Sequence, residues 1–219
     1  MSKAPTISVI IAAYNEEKFI GRTIRSLLNQ NISQQSYEII VINDNSSDKT
    51  QYALQLFEGD VRVINNTKKH GLAYSLNLGI KEARGKYVVR VDADDYVNEN
   101  FILLLYEFLE QNKYMNAVAC DYFLIDEEEE VIKRENCIEN PIGCGIMFET
   151  SHLFEIGLYD EEFQLLEERE LRYRFEKKYK IHRLELPLYR YRRHENNITN
   201  NKTGLDIHDK KIKSKHRIK

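Results

Sequence analysis

The apolar run Tyr87–Val91 stops abruptly in three carboxylates, Asp92, Asp94 and Asp95. Alternate residues of an extended chain point the same way, so Asp92 and Asp94 share one side of the strand's exit. Two carboxylates that close repel unless a positive charge lies between them. A hard divalent cation with oxygen ligands meets that need, and Mg²⁺ so placed commonly shares its shell with phosphate oxygens. A solvated turn, or a cap for the helix expected over Glu99–Gln111, is the alternative for an isolated Asp-x-Asp. A second acidic pair, Glu167 and Glu168, opens a helical stretch that closes in the cations of 177–180. Acids suit a helix's first turn and cations its last; the chemical reading is a general base presented at a helix start. A third group lies near the end of the chain, where Arg190, Arg192 and His194 alternate with Tyr189, Tyr191 and Arg193. Two guanidiniums and an imidazole on one face suit a diphosphate, with His194 as a metal ligand; a surface ladder of cations is the bland alternative.

The elements that must carry these groups follow from periodicity. Ile7–Ala12 is β-branched and apolar throughout, the pattern of a strand buried on both faces. Tyr37–Ile42, Val61–Ile64 and Tyr87–Val91 repeat it. Between them lie helical stripes: Phe19, Ile20, Ile24, Leu27 and Leu28; then Ala53, Leu54 and Phe57, capped by Ser46 or Ser47; then Leu72–Ala83. Four strand–helix alternations predict a doubly wound, mostly parallel sheet flanked by helices. Polar clusters close all four strands. Ligands of open α/β sheets bind outside the carboxyl ends of the strands, so one rim would collect Tyr14, Glu16, Asp44, Lys69 and the 92–95 acids. That convergence predicts a phosphorylated, nucleotide-like ligand. Neither Gly-x-Gly-x-x-Gly nor Gly-x-x-x-x-Gly-Lys-Ser/Thr occurs, so a metal must do what a glycine loop does elsewhere.

Past Gln111 the pattern becomes α+β. Ala117–Ile125 reads as a strand turned back by the acidic run 126–130, a solvated hairpin tip, into Val131–Arg134. Pro141–Phe148 is either a strand lying close to a ligand or a tight turn and core strand. A short helix covers Ser151–Ile156. Ile181–Leu186 reads as a strand that Pro187 interrupts at an edge. The lysine-rich end, 202–219, lacks an apolar stripe and reads as a loose tail with weak attraction to anionic headgroups.

Composition bounds the rest. The 219 residues suffice for one domain with a full core. The net charge of −3, with signs interspersed, excludes a global basic field for nucleic acid. There is no apolar run long enough for a membrane span and no signal-peptide pattern at the N-terminus. Cys120, Cys137 and Cys144 lack metal-ligand spacing and read as free thiols in a reducing cytoplasm.

With these residues in hand, the chain resembles family 2 glycosyltransferases of the GT-A fold, the group that builds bacterial surface polysaccharides. The resemblance is an ordered series. Residues 8–16 resemble the family's opening strand, with Ala12 where proline is common, and 41–48 its second strand and acidic loop. Gly71, Leu72, Ala73, Asn77, Gly79 and 83–85 resemble the segment before the metal motif, and 92–95 that motif. Residues 148–161 resemble the acceptor-side stretch; Tyr191, Arg192, Arg193, His194, Asn197 and Thr199 resemble the C-terminal histidine signature. The resemblance implies a nucleotide-sugar-binding half over 1–98, an acceptor-side half over 99–200 and a basic tail over 201–219. It implies Ala13, Tyr14, Glu16, Asp44, Lys69, Asp92 and Ala93 as nucleotide-binding. Asp94, Asp92 and His194 would hold Mn²⁺ or Mg²⁺, with Arg192 at the diphosphate. The family's base is usually the aspartate of a Glu-Asp pair. Here the pair is Glu167–Glu168, so Glu168 inherits the role by position. Because it is one methylene longer, three outcomes stay open: Glu168 works, Glu167 or Glu170 substitutes, or activity is weak.

The expected reaction is a metal-dependent, inverting transfer from a nucleotide-diphosphate sugar, uridine-based by resemblance. The expected acceptor is a glycan or a lipid-linked oligosaccharide, met in the cytoplasm or at the inner face of the membrane. Two rivals remain. A sugar-1-phosphate nucleotidyltransferase would need glycine and arginine after the first strand, which 13–17 do not offer. A non-catalytic nucleotide-sugar-binding homologue is motivated by the Glu-Glu departure.

Overall fold

The structure, a computed structural model, describes residues 4–195, 197 and 201–217. The first four strands are β1 (Ile7–Ala13), β2 (Tyr37–Asn43), β3 (Arg62–Asn65) and β4 (Tyr87–Arg90), joined by α1 (Ile20–Leu28), α2 (Thr50–Gln55) and α3 (Leu72–Glu82). All pair in parallel. The backbone of parallel strands is satisfied only within the sheet, and helices cover its faces; hence Ile7, Val9, Ile11, Val41 and Ile42 are sealed from solvent.

The second half makes the sheet mixed. After the two-residue β5 (Tyr96–Val97) come α4 (Phe101–Gln111), β6 (Ala117–Ile125), β7 (Val131–Glu135), β8 (Ile146–Glu149), α5 (Thr150–Glu155), α6 (Glu167–Phe175), β9 (Ile181–Arg192) and α7 (Lys202–His216). Strand β8 is antiparallel to β4 and β6, and β9 is parallel to β6. The strand order is β3-β2-β1-β4-β8-β6-β9-β5, with β7 on the free half of the β6 edge. The predicted mixed α/β architecture is thus borne out. The order also locates a switch point. The chain winds outward from β1 to β2 and β3, then crosses to the other side of β1 for β4, and a crevice opens where the winding reverses.

Several local expectations change. Pro187 does not end a strand at an edge: β9 runs through it, between β6 and β5, with a register shift opposite Asp121. A bulge tolerates the missing N–H there. Ser46 and Ser47 do not cap α2; Asp48 accepts from the Thr50 N–H at 2.9 Å, while Ser46 and Ser47 bond to Asn15. The acidic run 126–130 is anchored, through Lys18–Glu127 at 2.6 Å and Arg22–Glu129 at 3.2 Å. The glycine-rich 141–145 is a loop, and the strand begins only at Ile146.

The largest change is the tail. Residues 202–216 form α7, capped by Asn201 Oδ1 accepting from the Gly204 N–H at 2.9 Å. Its inward stripe mixes Leu205, His208, Asp209 and Ile212 with His216. His216 meets the buried carboxylate of Glu170 at 2.8 Å, Asp209 meets Arg169 at 2.5 Å, and Lys215 pairs with Asp160. The three cysteines are free and buried. Among the described residues no helix is long and apolar enough to cross a membrane.

Candidate functional site

A cleft opens at the switch point. Ala12 and Glu16 reach it from the end of β1, and Asp92, Ala93 and Asp94 from the end of β4. Glu167 and Glu168 enter from the start of α6, and His194 and Asn197 from the turn after β9. Burial alternates along 91–95, with Val91, Ala93 and Asp95 inside and Asp92 and Asp94 toward the cleft. β4 ends at Arg90, however, and the Asp95 N–H donates to the Asp92 carbonyl at 3.2 Å, so a tight turn rather than a continued pleat turns both carboxylates toward the cleft.

The motif is held rigidly from behind. Asp95 is buried, accepting from the Tyr189 hydroxyl at 2.7 Å and the Arg192 N–H at 2.7 Å. Burial pushes its carboxyl well above the usual range, and Asp94 and Asp92 add to that. Arg192 is 2% exposed and does not face the cleft. Its guanidinium donates to the carbonyls of Asp94 and Glu127 and to the Glu129 carboxylate, and lies over the Phe19 ring. The expected diphosphate contact gives way to a brace for the motif. The alternation that placed Arg190, Arg192 and His194 together fails because β9 ends at Arg192. Arg190 lies over Phe123, and His194 turns back to Asp94.

Other predicted residues frame the cleft without lining it. Ala13 is buried in the sheet. Asp44 is 3% exposed and accepts from the N–H groups of His70 and Gly71 and from Asn66, so it pins the loop before α3. Tyr14 stands at the rim with the Lys69 ammonium 3.5 Å over its ring. Thr199 lies outside the described residues.

Arg90 and Gly143 were not anticipated. Arg90, the last residue of β4, donates from Nε to Asp92 at 2.6 Å and from Nη1 to Glu167 at 2.9 Å. Burial works against its charge, but Asp92 and Glu167 outweigh it and hold the guanidinium protonated. A charge interrupting the β-branched run 87–91 was the available signal. Gly143 passes so close that a Cβ there would lie 2.8 Å from both Arg90 Nη1 and Glu168 Cβ. Leu166, which heads α6, sits in the left-handed region at φ 59°, a conformation costing a bulky residue about 1–2 kcal/mol. That strain aims the first turn of α6 into the cleft.

The acids divide by environment. Arg90 pairs with Glu167, whereas Glu168 is half-buried beside it. Burial, then the like charge of Glu167, pushes the Glu168 carboxyl up to about 7. Across the cleft, burial and the carboxylates of Asp94, Asp48 and Asp92 push Glu16 up to about 8. Such crowding of negative charge is what a bound cation relieves.

Two donor sets could hold one. Asp92, Asp95 and Cys144 offer ligand atoms within 4.8 Å of one another. Asp95 is already satisfied by Tyr189 and Arg192, however, and burial pushes the Cys144 thiol well up, against the thiolate a metal needs. On the open side, Asp94 Oδ2 lies 2.9 Å from His194 Nε2, with Asp92 two residues away. Two carboxylates and an imidazole are donor types that suit a divalent ion and this set faces the cleft, although the Asp92 carboxylate is held by Arg90 at 2.6 Å and would have to share that pairing with an ion.

The profile described as glycosyl transferase family 2 matches residues 8–151, which include all but the first residue of β1, the acidic motif and β8. The chain belongs to that family. Over 132 residues this glycosyltransferase sequence is 36% identical to an uncharacterised glycosyltransferase of Haemophilus influenzae, a match covering 59% of this chain and 40% of that protein. The chain thus spans well under two thirds of the length of the curated relatives it matches. Among solved structures, Staphylococcus aureus TarS 1–349 in complex with UDP-GlcNAc superposes with a TM-score of 0.77 at 21% identity, over 90% of this chain and 61% of that one. The Pyrobaculum calidifontis mannosyltransferase PcManGT, in complex with GDP-Man and Mn²⁺, gives 0.76 at 16% identity, over all of this chain and 66% of that one. The fold is therefore GT-A.

Proposed function

We propose that this chain transfers a sugar, with inversion, from a nucleoside diphosphate sugar to the hydroxyl of a glycan or lipid-linked acceptor in polysaccharide synthesis. The observation that carries the reading is one cleft in which Asp92, Asp94 and His194 face Glu168. The first three suit a metal and a diphosphate; the fourth suits proton abstraction. The family match supports transferase chemistry, and the nucleotide sugars bound by TarS and PcManGT support the donor class.

Each residue then has a task. Asp94 and His194, with Asp92, would hold a divalent ion, and the imidazole would favour Mn²⁺ over Mg²⁺. That ion, when bound, offsets the charge developing on the departing diphosphate. Glu16 lies at the mouth of the nucleotide side, with Tyr14 and Lys69 on the rim and Asp44 fixing the loop beneath. Glu168 takes the proton of the acceptor hydroxyl as its oxygen attacks the anomeric carbon. The new C–O bond forms as the bond from that carbon to the diphosphate oxygen breaks, and the electron pair leaves with the nucleoside diphosphate. Attack comes from the face opposite the leaving group, so the configuration inverts. Glu167, fixed on Arg90, positions the helix start.

Calorimetric titration of UDP with and without Mn²⁺, on wild type and Asp94→Ala, tests the donor site. Mn²⁺-dependent binding that Asp94→Ala abolishes is the expected result. If no nucleoside diphosphate binds in a metal-dependent way, the reading fails and 92–95 is an acidic turn.

A further inference from the structure

Glu168 lies on a boundary. On one side is the polar cleft. On the other is a chamber of about 370 Å³ between α6, β8 and the start of β9. The two share Glu168, Leu166 and the segment Pro141–Gly143. They differ in chemistry. The cleft carries Glu16, Asp92, Asp94 and His194, whereas the chamber beyond the shared wall is lined by Ile146, Phe148, Leu171 and Ile181, with Tyr159. Arg169 and Arg172 also border it, and their guanidiniums pair with Asp209 at 2.5 Å and Glu176 at 3.0 Å.

A bare sugar does not suit such walls. A hydroxyl buried without a hydrogen-bond partner is strongly disfavoured in apolar surroundings, and of the polar side chains in the lining the Arg169 and Arg172 guanidiniums are already engaged by Asp209 and Glu176, leaving Glu168 and Tyr159. Hydrocarbon does suit them, because each buried methylene favours binding by about fourfold. Gly143 sharpens the partition: its backbone presses between Arg90 and Glu168, leaving the Glu168 carboxylate as the polar group common to both spaces.

Resting on the transferase reading above, we propose that the chamber receives an apolar aglycone of the acceptor. The substrate class is then an amphiphile, a hydroxyl-bearing head presented to Glu168 with its attached hydrocarbon lodged between α6 and β8. The head meets Glu168 at the junction, and the hydrocarbon lies away from the charged donor cleft.

The test compares hexyl with methyl glycosides, as β-glucoside, β-galactoside and β-N-acetylglucosaminide pairs. Binding to the full chain is followed through the methyl NMR signals of Ile146 and Leu171. The hexyl member of at least one pair is expected to bind ten times or more tightly than its methyl counterpart while shifting those signals. Ile181→Phe and Ile146→Phe, which fill the chamber, are expected to bring that ratio near one with UDP affinity unchanged. Equal binding in all three pairs overturns the proposal, as does a hexyl preference that survives in whichever filled variant still binds UDP. Because the assay needs no turnover, failure of the donor reading shows separately, as loss of metal-dependent UDP binding.

Discussion

At the scale of the residue, environment decides which acid does which work. Glu167 and Glu168 are chemically identical neighbours, yet Arg90 pairs with the first and leaves the second bordered by burial and a like charge. Glu168→Gln is therefore expected to lower transfer by about 10²–10⁴-fold, the range lost with a general base, while UDP affinity stays unchanged. A drop in UDP binding instead would mark Glu168 as a donor-site residue. With a carboxyl near 7, kcat/KM for wild type should rise with pH and level off above that value. Glu16 supplies a stability test. Its folded-state pKa of about 8 exceeds the usual carboxylate value, so the folded state holds the proton more tightly than the unfolded. The stability this contributes is present below about pH 4.5 and is lost as pH rises through 8. In metal-free protein, Glu16→Gln should raise the thermal midpoint at pH 8 and leave it unchanged at pH 4. An equal shift at both values would trace the effect to packing rather than ionisation.

At the scale of the element, the site depends on a loop passing where no side chain fits. Gly143 presses on both Arg90 and Glu168, so Gly143→Ala must displace one of them. Because misplacement by about 1 Å can cost on the order of 10²-fold in rate, Gly143→Ala is expected to cut kcat by that order with UDP binding preserved. Wild-type kcat in that variant would show that the loop yields instead. The glycine-rich stretch 141–148 was legible as either a close approach or a tight turn, but not that Gly143 in it would press on Arg90 and Glu168. That needed β8 beside β4 and α6 over both, contacts between segments far apart in sequence. Arg192 shows the reverse case. Its type and spacing fitted an anion, but the end of β9 turned it behind the motif, where backbone carbonyls and Glu129 take its donors.

At the scale of the whole molecule, α7 closes the chain back onto the helix that presents Glu168. The docking rests on Ile212, only 2% exposed, and on pairs with Arg169, Asp160 and Glu170. Ile212→Ala is expected to cost about 2–4 kcal/mol, as for other large-to-small buried changes, and to increase amide exchange along 202–216 more than in β1 or β2. Uniform destabilisation would mean that α7 is one cooperative unit with the sheet. The first four strands, their helices and the polar clusters at their ends were readable because parallel strands buried on both faces leave continuous apolar runs, and local spacing encodes helices. The tail was not, because three of the five residues of its inward stripe are titratable, and it becomes a packing face only against partners on α6 and the 160–163 loop. The sequence by itself determined that acids, a histidine and an α/β scaffold were present and, to within a residue, where each of the first four strands would end. Only the tertiary structure decided the strand order that set the switch point between β1 and β4. It also brought α6 across the cleft and placed Glu168 between charged and apolar space, since those outcomes depend on pairings and burial that no local window of sequence contains.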